Sequence, residues 1–131
     1  MIERFSKLGE HGAIWVAIGL AGATVDKERR EEWLRGLRRV GLAYGVNQLI
    51  KVIVRRQRPA GRLAATHSNL SFPSAHATTS FCAARMYARL GLGWAGPYSL
   101  ALALAASRLI LKVHHPSDVV AGAALGTVIA R

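Results

Sequence analysis

Residues 94–130 read WAGPYSLALALAASRLILKVHHPSDVVAGAALGTVIA, two apolar stretches hinged on one polar segment. The first, 94–111, carries a single charge, Arg108, near its end. The second, 115–130, opens with Pro116 and carries only Asp118. Neither alternates apolar with polar residues, and both are too long for strands, so both predict helices. A proline at the first helical position and an acid in the first turn suit a helix start.

Working back along the chain, three more apolar stretches predict helices at 11–25, 40–54 and 73–90. The first, HGAIWVAIGLAGATV, has no acid, Lys or Arg. AGA within it is similar to a signal-peptide cleavage site, but the two acids before the apolar run weaken that reading. Between the helices lie a charged connector, DKERREEWLRGLRR at 26–39, and a polar loop at 55–72 with four arginines, Pro59, Gly61 and Asn69. Residues 1–10 place Ile2, Phe5 and Leu8 at helical spacing, as an interfacial amphipathic helix does. Each apolar run is about 15–18 residues, slightly short of the roughly 20 a single span needs. Short spans interrupted by charges are expected where the charges line a site. Gly41 and Gly45, and likewise Gly122 and Gly126, have the four-residue spacing that lets membrane helices approach closely. The expectation is an all-α fold: an integral-membrane helical bundle of about five transmembrane helices plus an N-terminal amphipathic helix, one domain over 1–131.

Composition agrees. The chain has 131 residues, is 51% hydrophobic and carries a formal net charge of +11. That hydrophobicity excludes a disordered chain. One cysteine, Cys82, excludes an internal disulfide framework and a Cys-rich zinc site. Six of the seven acids lie in residues 1–32, while residues 33–131 hold thirteen basic residues and one acid, Asp118. A stretch both apolar and basic suggests a membrane protein with an anionic partner. A nucleic-acid-binding domain would not need these apolar runs, so no nucleic acid is expected.

Three polar clusters fall at predicted helix ends. In Lys51-Val-Ile-Val-Arg-Arg-Gln-Arg58-Pro59, the residues Lys51, Arg55 and Arg58 are spaced to share a helical face before Pro59 ends it. Converging cations repel unless an anion sits among them. Taken alone, they also read as a basic helix end snorkelling to headgroups. In Ser71-Phe72-Pro73-Ser74-Ala75-His76, serine, proline and small residues make a helix start whose free N–H groups suit an anion, with His76 in reach. Taken alone, this is a plain N-cap. In the third cluster, Ser107 to Asp118, His114 and Asp118 are four apart across a helix start. A carboxylate bonded to one ring nitrogen leaves the other unprotonated and aimed outward, which makes a histidine nucleophilic.

Together the clusters supply a phosphoryl-transfer site. Lys51, Arg58 and Arg108 would neutralise phosphate oxygens, with Ser74 and neighbouring N–H groups adding hydrogen bonds. His114 would attack phosphorus and His76 would protonate the leaving oxygen. Metal-dependent chemistry is disfavoured, because Mg²⁺ needs carboxylates and only Asp118 is at hand. No metal or other cofactor is expected.

At these residues the sequence resembles the type 2 phosphatidic acid phosphatase family, which includes the vanadium-dependent haloperoxidases. Its three signatures, Lys-x6-Arg-Pro, Pro-Ser-x-His and Ser-Arg-x5-His-x3-Asp, occur in order from Lys51 to Asp118, about half the chain. The resemblance implies an all-helical membrane phosphatase acting on lipid phosphates without a metal ion. It implies that Lys51, Arg58, Ser74, His76 and Arg108 bind phosphate, that His114 becomes a phosphohistidine and that Asp118 orients it. The family's second signature usually has glycine where this chain has Ala75, whose N–H donor survives. Membrane members usually carry six spans, one more than the five counted here, which leaves room for a homo-oligomer.

Family substrates include phosphatidic acid, phosphatidylglycerol phosphate, polyprenyl diphosphates, lipid A phosphates and polyprenyl-phosphoryl-pentose phosphates. The partner expected is therefore a phospholipid or polyprenyl phosphate in a membrane. A scaffold that only holds anionic lipid would not need the His114/Asp118 pair, and haloperoxidases of the family are soluble. The expected location is the cell membrane, multi-pass. If the three clusters meet on one side, the far side holds Lys27, Arg29, Arg30, Arg35, Arg38, Arg39, Arg89 and Arg131, eight cations against the site side's six, Arg4, Lys7, Arg55, Arg56, Arg62 and Lys112. Positive residues favour the cytoplasm, so the active site is expected on the extracytoplasmic face.

Overall fold

The computed structural model describes residues 1–131 as six helices: α1 (Ile2–Lys7), α2 (Ala13–Val25), α3 (Arg30–Val54), α4 (Ala75–Tyr87), α5 (Ala95–Ile110) and α6 (Pro116–Ile129). A single 3₁₀ turn, Glu10–Gly12, links α1 to α2, and a wide π-type turn, Ala88–Leu92, follows α4. There is no sheet, only one isolated antiparallel bridge between Gln57 and Leu70 inside the long loop.

α4 is the central helix, packed against α3, α5 and α6. Its side chains are small, and Ala77, Thr78, Ser80, Ala83 and Ala84 are fully buried. Small side chains let neighbouring backbones come close, and α6 uses this. A Cβ on Gly126 would collide with the Thr78 carbonyl oxygen, and one on Gly122 would lie 2.5 Å from the Ser74 carbonyl oxygen. The Gly122/Gly126 spacing is therefore a close helix crossing. Gly41 and Gly45 are not: a Cβ on either meets nothing within 4 Å, because that side of α3 faces outward.

Only residues 26–29 of the charged connector expected at 26–39 lie outside a helix. α3 begins at Arg30, and Trp33, Gly36, Val40, Ala43, Asn47 and Lys51 form one buried stripe along it. Their three- and four-residue spacing puts them on one face. Trp33 stacks against Tyr87 with ring centroids 5.2 Å apart, the Tyr87 hydroxyl donates to the Trp15 carbonyl at 3.1 Å, and the Trp15 indole donates to Ser80 Oγ at 2.8 Å. This aromatic cluster ties α2, α3 and α4 together through the body of the bundle. Aromatic pairs of this kind contribute about 0.5–1.5 kcal/mol beyond the area they bury.

Helix lengths differ from the five-span expectation. No helix is long and apolar enough to cross a membrane. α2 and α4 have 13 residues and α6 has 14, while α3, with 25, is highly charged in its first half. What stands is the all-helical bundle itself. Its topology brings the C-terminal ends of α3 and α5 and the N-terminal ends of α4 and α6 to one end. α1 packs on α5 and the Glu10–Gly12 turn packs on α4 at that same end. The amphipathic start is thus part of the bundle, and its Ser6 is buried.

Candidate active site

Each cluster reaches the shared end through a helix terminus. α4 starts where Ser74, extended at φ −69° and ψ 117°, accepts from the Ala77 N–H at 3.5 Å. The Ser74 N–H donates to the Asp118 carbonyl at 2.9 Å, which joins the starts of α4 and α6. α6 starts at Pro116, and the Asp118 carboxylate turns back to accept from the His115 N–H at 2.7 Å. Each cap satisfies N–H groups that have no partner within the helix.

Lys51, Arg58, Ala75, His76, Arg108 and His114 line one cleft of about 120 Å³. Ser74 and Asp118 lie just behind it, both with no exposed surface. All eight residues singled out in the sequence therefore converge. Lys51 Nζ donates to the Pro73 carbonyl at 2.9 Å. Arg58 does not arrive on a helical face, as its spacing from Lys51 suggests. α3 ends at Val54, Arg55 turns left-handed at φ 54°, and Arg55 stays exposed on its own helix end. Arg58 instead reaches in from the loop, donating to the Ser68 carbonyl at 2.8 Å and the Val113 carbonyl at 2.7 Å.

The His114 ring lies between the two halves of the site. Its Nε2 is 3.1 Å from Arg58 Nη1, on the cleft side. Its Nδ1 is 3.4 Å from Asp118 Oδ2, within ion-pair range but beyond a hydrogen bond, and has no other partner. Burial pushes His114 down to about 2, and the neighbouring Arg58, Arg108 and Lys51 cations act in the same direction. Burial and these cations favour the neutral ring, and neutrality is what a nucleophilic imidazole requires. Arg58 is lowered to about 10, first by burial and then by Arg108 and Arg62. Cations crowded this way are a standing invitation to a polyanion.

Several participants escaped the sequence reading. Arg56 donates to Asp118 Oδ1 at 3.1 Å and to Ser117 Oγ at 2.6 Å, pinning the loop to the start of α6. Asn47, fully buried one turn before Lys51, donates to the Pro73 carbonyl at 3.2 Å and to Thr78 Oγ1 at 2.9 Å. Ser6 contacts two site residues: its carbonyl lies 2.9 Å from His76 Nε2, and its hydroxyl accepts from Arg108 Nη1 at 2.6 Å. Of these, only Asn47 left a signal, a lone amide four residues from Lys51 on an otherwise apolar face.

A family model described as the PAP2 superfamily matches residues 37–131. Among curated proteins, a decaprenylphosphoryl-5-phosphoribose phosphatase of Mycobacterium tuberculosis is 43% identical over 128 residues, 95% of this chain and 72% of its own length. The protein of the same name from Mycolicibacterium smegmatis is 44% identical over 121 residues, 89% of this chain and 67% of its own length. Among solved structures, a transmembrane PAP2-type phosphatidylglycerolphosphate phosphatase from Bacillus subtilis superposes with a TM-score of 0.80. That match has 22% identity and covers 98% of this chain and 71% of the other, so it speaks to the fold. A family match that takes in all three signature clusters, on a bundle that brings them to one cleft, makes this chain a member of the PAP2 superfamily and a phosphatase.

Proposed function

We propose that the chain hydrolyses a phosphate monoester carried on a polyprenyl-phosphate-linked sugar, through a phosphohistidine. The observation that carries the catalytic part is the meeting of three cations and two histidines in one cleft. Lys51, Arg58 and Arg108 bind the phosphate oxygens, with the Ala75 N–H and the start of α4 behind them. His114 Nε2 attacks phosphorus. The bond to the ester oxygen breaks, and His76, held through Nε2–H to the Ser6 carbonyl and cationic beside the bound phosphate dianion, gives that oxygen its Nδ1 proton. Water then attacks the phosphohistidine, His76 takes a proton from it, and inorganic phosphate leaves with His114 restored. When the ring becomes cationic, its Nδ1–H has Asp118 Oδ2 within reach, since catalytic hydrogen bonds often tighten only in the complex. The identity to the mycobacterial phosphatases supports a phosphorylated pentose on a polyprenyl lipid as substrate.

The bundle is held to be membrane-embedded. Leu49, Val52 and Ile53 on α3, Leu102 and Ile110 on α5, and Val120 and Val128 on α6 all point outward and are exposed. An apolar surface of this extent marks a partner, and lipid is the partner that fits a lipid substrate. The charged helix ends then lie at the site end of the bundle. The far end gathers Lys27, Arg29, Arg30, Arg35, Arg38, Arg39, Arg89 and Arg131, against Arg4, Lys7, Arg55, Arg56, Arg62 and Lys112 at the site end, which favours an extracytoplasmic cleft. Ala60 is exposed on the site-side loop and Cys82, the only cysteine, is buried. An Ala60→Cys variant should therefore react with a membrane-impermeant maleimide in intact cells; reaction only after lysis places the cleft in the cytoplasm.

The chemistry is tested by released phosphate from a panel of lipid phosphates in excess EDTA. Activity should persist, because side-chain cations supply the charge, and vanadate should inhibit by imitating five-coordinate phosphorus. Vanadate at a hundred times its Kd should also stabilise the fold by about 2.7 kcal/mol, seen as a raised Tm. A strict Mg²⁺ requirement would overturn the metal-free mechanism.

A further inference from the structure

We propose that Glu10, His11, Tyr44, Gln48 and His67 form a subsite at the cleft mouth that binds the hydroxyls of the sugar bearing the scissile phosphate. None belongs to the three signature clusters, and the inference rests on the phosphosugar reading above. All five line the same cleft as Lys51, Arg58, Arg108 and His114. They come from three separate parts of the chain. Glu10 and His11 lie in the turn before α2, Tyr44 and Gln48 are one turn apart on α3, and His67 is in the long loop.

Glu10 Oε1 meets His67 Nε2 at 2.5 Å, across 57 residues of sequence. His11 Nδ1 lies 2.8 Å from the Tyr44 hydroxyl, and the His11 and His67 rings sit 5.1 Å apart. His11 itself is held left-handed at φ 52°, uncommon outside glycine although histidine takes it more readily than most residues. A conformation of this kind persists where surrounding contacts enforce it, and it gathers at ligand sites.

The position dictates the ligand. Phosphate seated among Lys51, Arg58 and Arg108 leaves its ester group to point outward, since Ser74 and Asp118 close the back. The ester group must then lie against this rim. A diacylglycerol backbone would strip water from a carboxylate, an amide, a phenol and two imidazoles while offering ester carbonyls as acceptors but no donor for Glu10, which is costly. A pentose offers hydroxyls that donate to Glu10 and accept from Gln48, Tyr44 or a ring N–H. Sites built to bond a hydroxyl discriminate strongly against ligands that lack it.

The test uses D-ribose 5-phosphate, supplied for binding as its non-hydrolysable phosphonate, and inorganic phosphate as probes, with Kd read by calorimetric titration of the full chain in detergent and EDTA. Wild type should bind ribose 5-phosphate about tenfold tighter than phosphate. In Glu10→Gln and His67→Ala that advantage should shrink to about twofold, while phosphate affinity and kcat/KM for p-nitrophenyl phosphate stay near wild type. Tyr44→Phe, which removes one oxygen and is safe for folding, should lose part of the same advantage. Equal affinity for both probes in wild type, an advantage unchanged in all three variants, or a parallel loss of phosphate affinity overturns the subsite. Because binding is read apart from turnover, a chain that prefers ribose 5-phosphate but releases no phosphate sinks the phosphatase mechanism and leaves the subsite standing.

Discussion

Replacing His114 with alanine is expected to lower kcat by about 10⁴-fold or more while the bundle stays folded. The size follows from geometry. His114 Nε2 is the one ring nitrogen on the cleft side beside Arg58, and the other histidine at the phosphate, His76, is engaged with the Ser6 carbonyl at 2.9 Å. No other nucleophile stands ready. The fold should survive because the side chain donates no structural hydrogen bond of its own: Nδ1 has no hydrogen-bond partner, and the Val113 carbonyl and Ser68 carbonyl still hold Arg58. Loss of the ring costs packing of about 1–3 kcal/mol, visible as a lower Tm. The decisive measurement is acid-labile labelling from a ³²P substrate in rapid-quench samples. Wild type should label and His114→Ala should not. Activity above a tenth of wild type, or label retained in the variant, would remove His114 from the nucleophile's role.

The legible part of this molecule is local. All the signature residues but Arg58 and Pro59 sit within a turn of a helix end, and the helix starts announce themselves through Pro73, Pro116 and the serine before α4, whereas α3 stops at Val54, five residues before Pro59. Their convergence was therefore readable once the helices were. α3 was half-missed because charge masked its pattern: DKERREEWLRGLRR reads as a connector, although Trp33, Gly36 and Val40 continue the same stripe that holds Asn47 and Lys51. The apolar residues on that stripe are sparse because one of its members is glycine, packed against Tyr87. The unread part is long-range. Arg56 to Asp118, Ser6 to Arg108 and Glu10 to His67 join residues far apart in the chain, and no periodicity encodes such a pairing. Equally, the exposed side of Gly41 and Gly45 cannot be told from the packed side of Gly122 and Gly126 by spacing alone.

Asp118→Asn is expected to lower kcat by about 10³-fold, less than the loss of His114, with a separate cost in stability. The carboxylate has no exposed surface and answers three groups: the His115 N–H at 2.7 Å, Arg56 Nη1 at 3.1 Å and His114 Nδ1 at 3.4 Å. An amide has one oxygen for these three, so its NH₂ must face either a donor or the ring. Leaving a buried donor without an acceptor costs about 1–3 kcal/mol, and Arg56, partly exposed, recovers some of this by turning to water. The catalytic loss has a different origin. Attack at phosphorus turns His114 into a cation in a cleft already crowded with Arg58, Arg108 and Lys51, and Asp118 is the only anion behind the ring. Arg56→Ala separates the two effects. It removes the ion pair and should lower Tm comparably, yet leaves the charge facing His114, so kcat should stay within about tenfold. Phosphoenzyme formation should therefore slow in Asp118→Asn and not in Arg56→Ala. Equal kcat in the two variants would make Asp118 an anchor for the start of α6 and nothing more.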